Sequence, residues 1–182
     1  GEVMLSQNDT GLIIVDIQGK LAEIVHQSES VIANATVLAK GANCLGLPIV
    51  WLEQNPSRLG ATTASLSDAL GDYQPISKMT FDGCGADAFN EAIEKAGVKS
   101  WLICGIETHI CVYQTAMSLL QKGYNVEIVS DCVASRTAQN KDMAITKLLS
   151  KGAGVTSLEM CLFEMIGDCR SPAFKDVLRL IK

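Results

Sequence analysis

A thiol follows an apolar run near the middle of the sequence. The residues at 100–104, S-W-L-I-C, lead into G-I-E-T-H-I-C at 105–111. If a helix begins near Thr108, Cys111 lies in its first turn, where unpaired N–H groups and the positive end of the helix dipole favour a thiolate. The same N–H groups can hold the oxyanion that forms when a thiolate attacks a carbonyl. We therefore predict that Cys111 is a nucleophile, against the alternative that it is a small core residue.

Two further reactive side chains end predicted strands. Asp16 follows L-I-I-V at 12–15, and Lys78 follows the weaker run Q-P-I-S at 74–77. Ligands of open α/β sheets bind at the carboxyl ends of the strands, so an acid, an amine and a thiol are expected at one edge. Each has an ordinary alternative, because aspartates often cap turns and lysines are usually solvated.

The base that would activate the thiol is predicted to be a carboxylate. His109 precedes Cys111 by two positions, which is about 200° around a helix, so its ring should not face the thiol. We expect His109 to lie at the surface or at the rim of a site. Asp16 ends the most hydrophobic strand, where desolvation raises its pKa toward that of a useful base.

The elements that would position these side chains alternate along the chain. Short β-branched runs and segments of helical period follow one another, which indicates a parallel sheet covered on both faces. Strands are predicted at 11–16, 47–53, 99–105, 125–130 and 153–157, with a weaker one at 74–79. At least four helices are predicted, around 31–45, 89–96, 112–120 and 174–181, the last one capped by Ser171 and Pro172. The stretch 54–75 is predicted to be an irregular lid or binding segment.

Length and composition limit the class of protein. A chain of 182 residues is consistent with one domain, 1–182. The formal charge of -5 indicates no nucleic acid as partner, and no apolar run approaches the length of a membrane span. A cytoplasmic location is the simplest expectation. The seven cysteines form no C-x-x-C pair and there are two histidines, so neither a disulfide framework nor a metal site is indicated.

Four segments together resemble a known family. They are D-I-Q at 16–18, K-M-T-F at 78–81, G-I-E-T-H-I-C-V at 105–112 and D-C-V-A-S-R at 131–136. In this order they are similar to the successive motifs of the isochorismatase-like cysteine hydrolases. The resemblance implies a three-layer α/β/α Rossmann-like fold, with a six-stranded parallel sheet in the order 3-2-1-4-5-6.

The resemblance also implies a site. Its catalytic triad would be Asp16, Lys78 and Cys111, with a cis peptide between Ile106 and Glu107 and an oxyanion hole made by the amides of Glu107 and Cys111. The implied activity is hydrolysis of an amide or related C–N bond of a small molecule through a thioester, without a cofactor. Family members are usually dimers, tetramers or larger, so a homo-oligomer is expected. Residues expected to line the substrate pocket are Gln18, Trp51, Gln54, Phe81 and Tyr113.

Other functions remain open at this stage. The segment W-L-E-Q-N-P-S-R-L-G at 51–60 has no histidine, unlike the metal site of nicotinamidases, and resembles the uncharacterised isochorismatase-domain branch. Isochorismatases themselves cleave a vinyl ether without the cysteine, and a non-catalytic binding or scaffold protein could keep the same fold. A nicotinamide oxidoreductase is a further alternative, because G-C-G-A-D-A at 83–88 fits a dinucleotide fingerprint.

Overall fold

A computed structural model describes residues 3–182 as helices packed on both faces of a six-stranded parallel sheet. The sheet order is β3-β2-β1-β4-β5-β6, which confirms the predicted topology. The strands are β1 (Thr10–Val15), β2 (Ile49–Gln54), β3 (Ile76–Lys78), β4 (Ser100–Ile106), β5 (Asn125–Ala134) and β6 (Gly154–Thr156). The α-helices are α1 (Gly19–Ile24), α2 (Ser28–Leu45), α3 (Pro56–Leu59), α4 (Ala64–Leu70), α5 (Asp87–Ala96), α6 (Tyr113–Gln121), α7 (Ala138–Ser150), α8 (Leu158–Ile166) and α9 (Phe174–Ile181).

The core consists of two apolar layers, one on each face of the sheet. In β1, Leu12 and Ile14 join the layer that includes α2 and α8, whereas Ile13 and Val15 join the layer that includes α5 and α6. Successive side chains of a strand point to opposite faces, so a strand covered on both faces must be apolar throughout. This explains why β1, β2 and β4 are buried along their whole length.

Most predicted elements lie within a few residues of the observed ones, with three corrections. Strand β5 runs four residues beyond its predicted end, so that D-C-V-A belongs to the strand. The stretch 54–75 is not irregular throughout, because it contains α3 and α4. The cap of α9 is Ala173, not Ser171, since Ser171 and Pro172 form a turn before the helix. Helices α1, α7 and α8 were not predicted individually.

The order of the strands reverses at β1 and β4, which creates a crevice at their carboxyl ends. Gly105 allows these two strand ends to approach. It is paired with Val15, has a φ of +124°, and a Cβ at this position would lie 2.0 Å from the Val15 carbonyl oxygen. Any other residue would collide with the backbone that leads to Asp16. Within residues 3–182, no helix combines the length and the apolar character needed to cross a membrane.

Candidate active site

Three predicted residues converge at the carboxyl edge of the sheet. Asp16 directly follows β1 and adopts a φ of +52°, and Lys78 is the last residue of β3. Cys111 lies in a π-helical turn, Thr108–Val112, that joins β4 to α6. The Lys78 Nζ atom donates a hydrogen bond of 2.7 Å to Asp16 Oδ2. Cys111 and Asp16 line the same cavity, and the charges of both Asp16 and Lys78 act on the pKa of the thiol.

The ammonium group of Lys78 is fully engaged within the protein. Its nitrogen donates to Asp16 Oδ2 at 2.7 Å, to Gln54 Oε1 at 2.6 Å and to the Thr80 carbonyl at 3.1 Å. An ammonium has three protons, so none is left for another acceptor. Lys78 therefore acts on its surroundings through its charge and by holding Asp16 in place.

Asp16 has the environment of a proton acceptor. Its side chain is buried, with the residue 2% exposed, and this burial raises the pKa of the carboxyl group although the Lys78 ammonium opposes the shift. Its Oδ2 atom binds Lys78, whereas Oδ1 has no nitrogen or oxygen hydrogen-bond partner among the described residues. One carboxylate oxygen is thus held by the cation and the other is free to receive a proton.

Cys111 differs from the predicted thiolate. The residue is 7% exposed, and burial, followed by the nearby Asp16 carboxylate, raises the pKa of its thiol to about 12 despite the opposing charge of Lys78. The expected effect of the helix terminus is outweighed, because a buried anion next to a carboxylate is strongly disfavoured. At neutral pH the resting cysteine is a thiol and must lose its proton during a reaction.

The chain segment before Cys111 has an unusual backbone. The peptide bond between Ile106 and Glu107 is cis. The Glu107 carbonyl accepts hydrogen bonds from the Ile110 and Val112 amides, at 3.1 and 3.2 Å, on either side of Cys111. The buried Glu107 carboxylate accepts from the Arg136 backbone amide at 2.9 Å and from Arg136 Nε at 3.1 Å. The turn that carries the thiol is therefore anchored to the end of β5.

A cavity of about 140 Å³ opens beside the thiol. Its walls are formed by Asp16, Gln18, Leu21, Gln54, Leu59, Phe81, Ile106, Glu107, Ile110 and Cys111. Three of the five residues expected to line a pocket, Gln18, Gln54 and Phe81, lie on this cavity. The other two require correction. Trp51 is buried in the apolar layer that includes α2, where its Nε1 donates to Thr62 Oγ1 at 2.8 Å. Tyr113 packs on the α5 side, with Lys147 Nζ 5.5 Å from its ring centre.

Some residues around the cavity were missed by the sequence reasoning. Leu21, Leu59 and Ile110 form its apolar walls but carry no signal that distinguishes them from core residues. The role of Gln54 as a partner of Lys78 was also missed. His109 does not line the cavity, and its Nδ1 lies 2.8 Å from Ser135 Oγ.

The glycines of G-C-G-A-D-A face protein side chains. They lie in a 3-10 turn, Gly83–Gly85, before α5. A Cβ at Gly85 would lie 2.1 Å from Thr80 Oγ1, and one at Gly83 would lie 3.0 Å from Leu52 Cδ1. These glycines make room for the Thr80 and Leu52 side chains of the protein itself, so the pattern does not indicate a dinucleotide site. Residues 3–182 contain no group of three or more His, Cys, Asp or Glu side chains placed to hold a metal ion.

A parallel sheet with a buried acid, amine and thiol at its switch point defines an α/β protein with an enzyme-like site. The model of the isochorismatase domain matches residues 10–160. The chain therefore belongs to the isochorismatase family of hydrolases.

Relatives of known sequence or structure agree with this assignment. The secreted isochorismatase effector Isc1 of Phytophthora sojae is 36% identical over 177 residues, which cover 94% of this chain and 83% of the relative. The structure of the MAR1 ribonuclease from Caenorhabditis elegans superposes with a TM-score of 0.93 at 30% identity, covering 98% and 92% of the two chains. The YcaC protein of Escherichia coli, described as an octameric hydrolase of unknown specificity, shares the fold with a TM-score of 0.93 at 21% identity, covering 99% and 91%.

Proposed function

We propose that the protein is a cysteine hydrolase that cleaves an amide or related C–N bond of a small molecule through a thioester at Cys111. The observation that carries this proposal is the free Oδ1 atom of a buried Asp16, next to a thiol that lines the same cavity. A thiol without a nearby proton acceptor would be an inert core residue, whereas this one has a carboxylate whose raised pKa suits a general base.

In the first half of the reaction, Asp16 Oδ1 accepts the thiol proton as the sulfur adds to the substrate carbonyl. The C–S bond forms and the carbonyl electron pair moves to the oxygen, which becomes an oxyanion. The backbone amides of Glu107 and Cys111 are the proposed donors to this oxyanion. When the intermediate collapses, the C–N bond breaks and the leaving nitrogen takes the proton from Asp16, which leaves a thioester and a free amine or ammonia.

In the second half, a water molecule replaces the amine. Asp16 accepts a proton from this water as its oxygen adds to the thioester carbon. The C–S bond then breaks, the acid product leaves, and Asp16 returns the proton to the sulfur. Lys78 stabilises the negative charge that moves between Asp16 and Cys111 through its own positive charge. It does not bind the substrate directly, because its three protons are all donated to protein acceptors.

The proposal extends to partners and location. A homo-oligomer of two, four or more copies is proposed, supported by the octamer named for the structurally similar YcaC protein. A small-molecule substrate is favoured over RNA, although one structural neighbour is named a ribonuclease, because the net charge of -5 would repel a polyanion. A cytoplasmic location stays a prediction. Cell fractionation would test it, and the alternative is secretion, as the name of the Isc1 relative states for that protein.

The test is a screen of small amides, imides, ureides and isochorismate against the wild type, Cys111→Ala and Asp16→Asn. Cys44→Ala is the matched control, since Cys44 is an exposed thiol away from the cavity. We expect amide hydrolysis by the wild type and the control, none by the two site variants, and an acyl adduct at Cys111 in mass spectra of the quenched reaction. Amide turnover retained in Cys111→Ala would refute the thioester, and isochorismate turnover in that variant would identify vinyl-ether chemistry. A wild type that binds but converts none of these compounds would favour a binding protein.

A further inference from the structure

The two glutamine side chains of the cavity are largely engaged within the protein. The Gln18 amide nitrogen donates to the carbonyls of Gln54 and Gly60, at 3.0 and 2.8 Å, and its Oε1 accepts from the Gln54 amide at 2.6 Å. The Gln54 amide nitrogen donates to the Met79 carbonyl at 2.8 Å, while its Oε1 accepts from Lys78. Gln18 therefore has no donor left for a ligand, whereas the Gln54 amide nitrogen keeps one N–H.

The charges around the cavity are also paired. Asp16 is neutralised by Lys78, and the Glu107 carboxylate is neutralised by Arg136. In the part of the chain that the structure describes, the side-chain groups that remain available at the cavity are therefore Asp16 Oδ1, the Cys111 thiol and one N–H of the Gln54 amide. The proposed reaction uses the first two, so one neutral N–H is left for a second polar group on the substrate and no charged side chain is left to pair with a charge.

The rest of the wall is apolar. Its carbon surface comes from Leu21, Leu59, Phe81, Ile106 and Ile110. A volume of about 140 Å³ is close to that of an apolar cavity which holds one benzene molecule in another protein, roughly 150 Å³. Phe81 and Leu59 are 53% and 41% exposed, so they form the rim rather than the floor. The enclosed space accepts one small group, and most of the wall that it offers to that group is hydrocarbon.

We propose that the site selects substrates whose acyl group is small, uncharged and apolar, such as a short branched aliphatic or a single-ring carboxamide. This proposal rests on the function proposed above and names its substrate class. A charged acyl group would lose its water and find no counter-charge, and a strongly polar one would find a single side-chain N–H, that of Gln54, so burying either group is costly. A bicyclic acyl group would exceed the enclosed volume.

The first experiment compares two amides that share one heavy-atom skeleton, 3-methylbutanamide and the malonamate anion. We expect kcat/KM to favour the neutral compound by at least about 100-fold, because the anion would be buried unpaired. Along acetamide, propionamide and butyramide, kcat/KM should rise about 4-fold for each CH2 group that is buried. Equal rates for the two matched amides, or a preference for malonamate, would overturn the proposed selectivity.

A variant pair tests whether the rim sets the size limit. Phe81→Ala should raise kcat/KM for 1-naphthamide relative to 3-methylbutanamide by at least about 10-fold, since an aromatic side chain is removed from the wall. Met143→Ala is the control, because Met143 is 61% exposed and does not line the cavity. An unchanged ratio in Phe81→Ala would show that the cavity does not set the size limit.

A measurement without turnover separates this proposal from the proposed function. Iodoacetamide and iodoacetate have the same shape but differ in charge, and their reaction with each cysteine can be followed by mass spectrometry of peptides. The rate ratio of the neutral to the anionic reagent at Cys111 should exceed the ratio at exposed Cys44 and Cys169 by at least about 10-fold. If no amide is hydrolysed but this ratio holds, the hydrolase assignment fails and the apolar selectivity stands. Equal ratios at all three thiols would refute the selectivity alone.

Discussion

Replacing Lys78 by methionine removes the cation that neutralises Asp16. The two groups lie 2.7 Å apart, and at an effective dielectric constant of about 20 this contact corresponds to about 6 kcal/mol of attraction. Water that enters the variant will reduce the effect, so we expect about half of this free energy to be lost. The pKa of Asp16, already raised by burial, should therefore rise further in Lys78→Met, because the opposing charge of Lys78 is removed.

This shift has consequences for both activity and stability. Asp16 acts as a base in its charged form, so kcat/KM in Lys78→Met should reach its plateau at a higher pH than in the wild type. A carboxyl whose folded pKa lies above its unfolded value of about 3.9 contributes stability that is complete below that value and is lost as the pH rises through the folded pKa. The cost of Lys78→Met should thus be small at pH 4 and reach about 3 kcal/mol, half of the attraction, once Asp16 is ionised.

Urea unfolding from pH 4 to pH 9 measures the stability, and the pH–rate profile measures the activity. The double variant Lys78→Met with Asp16→Asn is the control, since it leaves no unpaired buried charge and should recover most of the lost stability. A double-mutant cycle that gives less than about 0.5 kcal/mol of coupling would refute the role assigned to the pair. So would a wild-type pH–rate profile retained in Lys78→Met.

Three other outcomes follow from the geometry. In the wild type, the acidic limb of kcat/KM should lie above the ordinary aspartate pKa of about 3.9, because activity is lost when Asp16 is protonated and its pKa is raised; a pH–rate profile measures this, and a limb at or below that value would contradict it. Alkylation of Cys111 by iodoacetamide should be slower at pH 7 than that of exposed Cys44 and should accelerate as the pH approaches about 12. Mass spectrometry of peptides measures both rates, and a faster reaction at Cys111 at pH 7 would show that its resting thiol is not neutral. Gly105→Ala should lower the free energy of unfolding in urea by at least about 3 kcal/mol, because the added Cβ would collide with Val15. Gly123→Ala should lower it by about 1 kcal/mol, since Gly123 has a φ of +94° but no atom within 4 Å of the added Cβ. Equal costs would contradict the close approach of β1 and β4.

The fold was predictable because its strands are short apolar runs between helical segments. In β1 the sequence T-G-L-I-I-V is buried on both faces, and this is the pattern of a parallel sheet. The glycines after α2 and α5 mark the ends of those helices with positive φ values. Helices α7 and α8 were not predicted individually, although Thr137 and Ser157 cap them by accepting from the Asn140 and Met160 amides. The extension of β5 into D-C-V-A was hidden by the charge of Asp131, which accepts from the Leu158 amide at 2.8 Å.

The site was predictable in its reactive residues but not in their protonation. Asp16, Lys78 and Cys111 could be placed at one edge from strand ends alone. The error at Trp51 has a simple cause: Trp51 lies three residues before the end of β2 and is buried in the core, whereas Gln54 is the last residue of the strand and reaches the cavity at the carboxyl edge. The raised pKa of Cys111 depends on burial and on the distance to Asp16, neither of which a sequence pattern contains.

The protonation of the site also explains how a buried thiol can react. In the resting state, an Asp16 carboxylate, a Lys78 ammonium and a neutral Cys111 carry no net charge. Transfer of the proton from Cys111 to Asp16 leaves a neutral acid, the same ammonium and a thiolate, so the net charge of the buried group is unchanged. The desolvation that opposes an isolated thiolate is therefore offset by relief of the desolvation at Asp16, and the ammonium stays beside the negative charge throughout. Because Asp16 and Cys111 are coupled in this way, their pKa values describe the pair, and the proton should move only when a carbonyl is present to bond the sulfur.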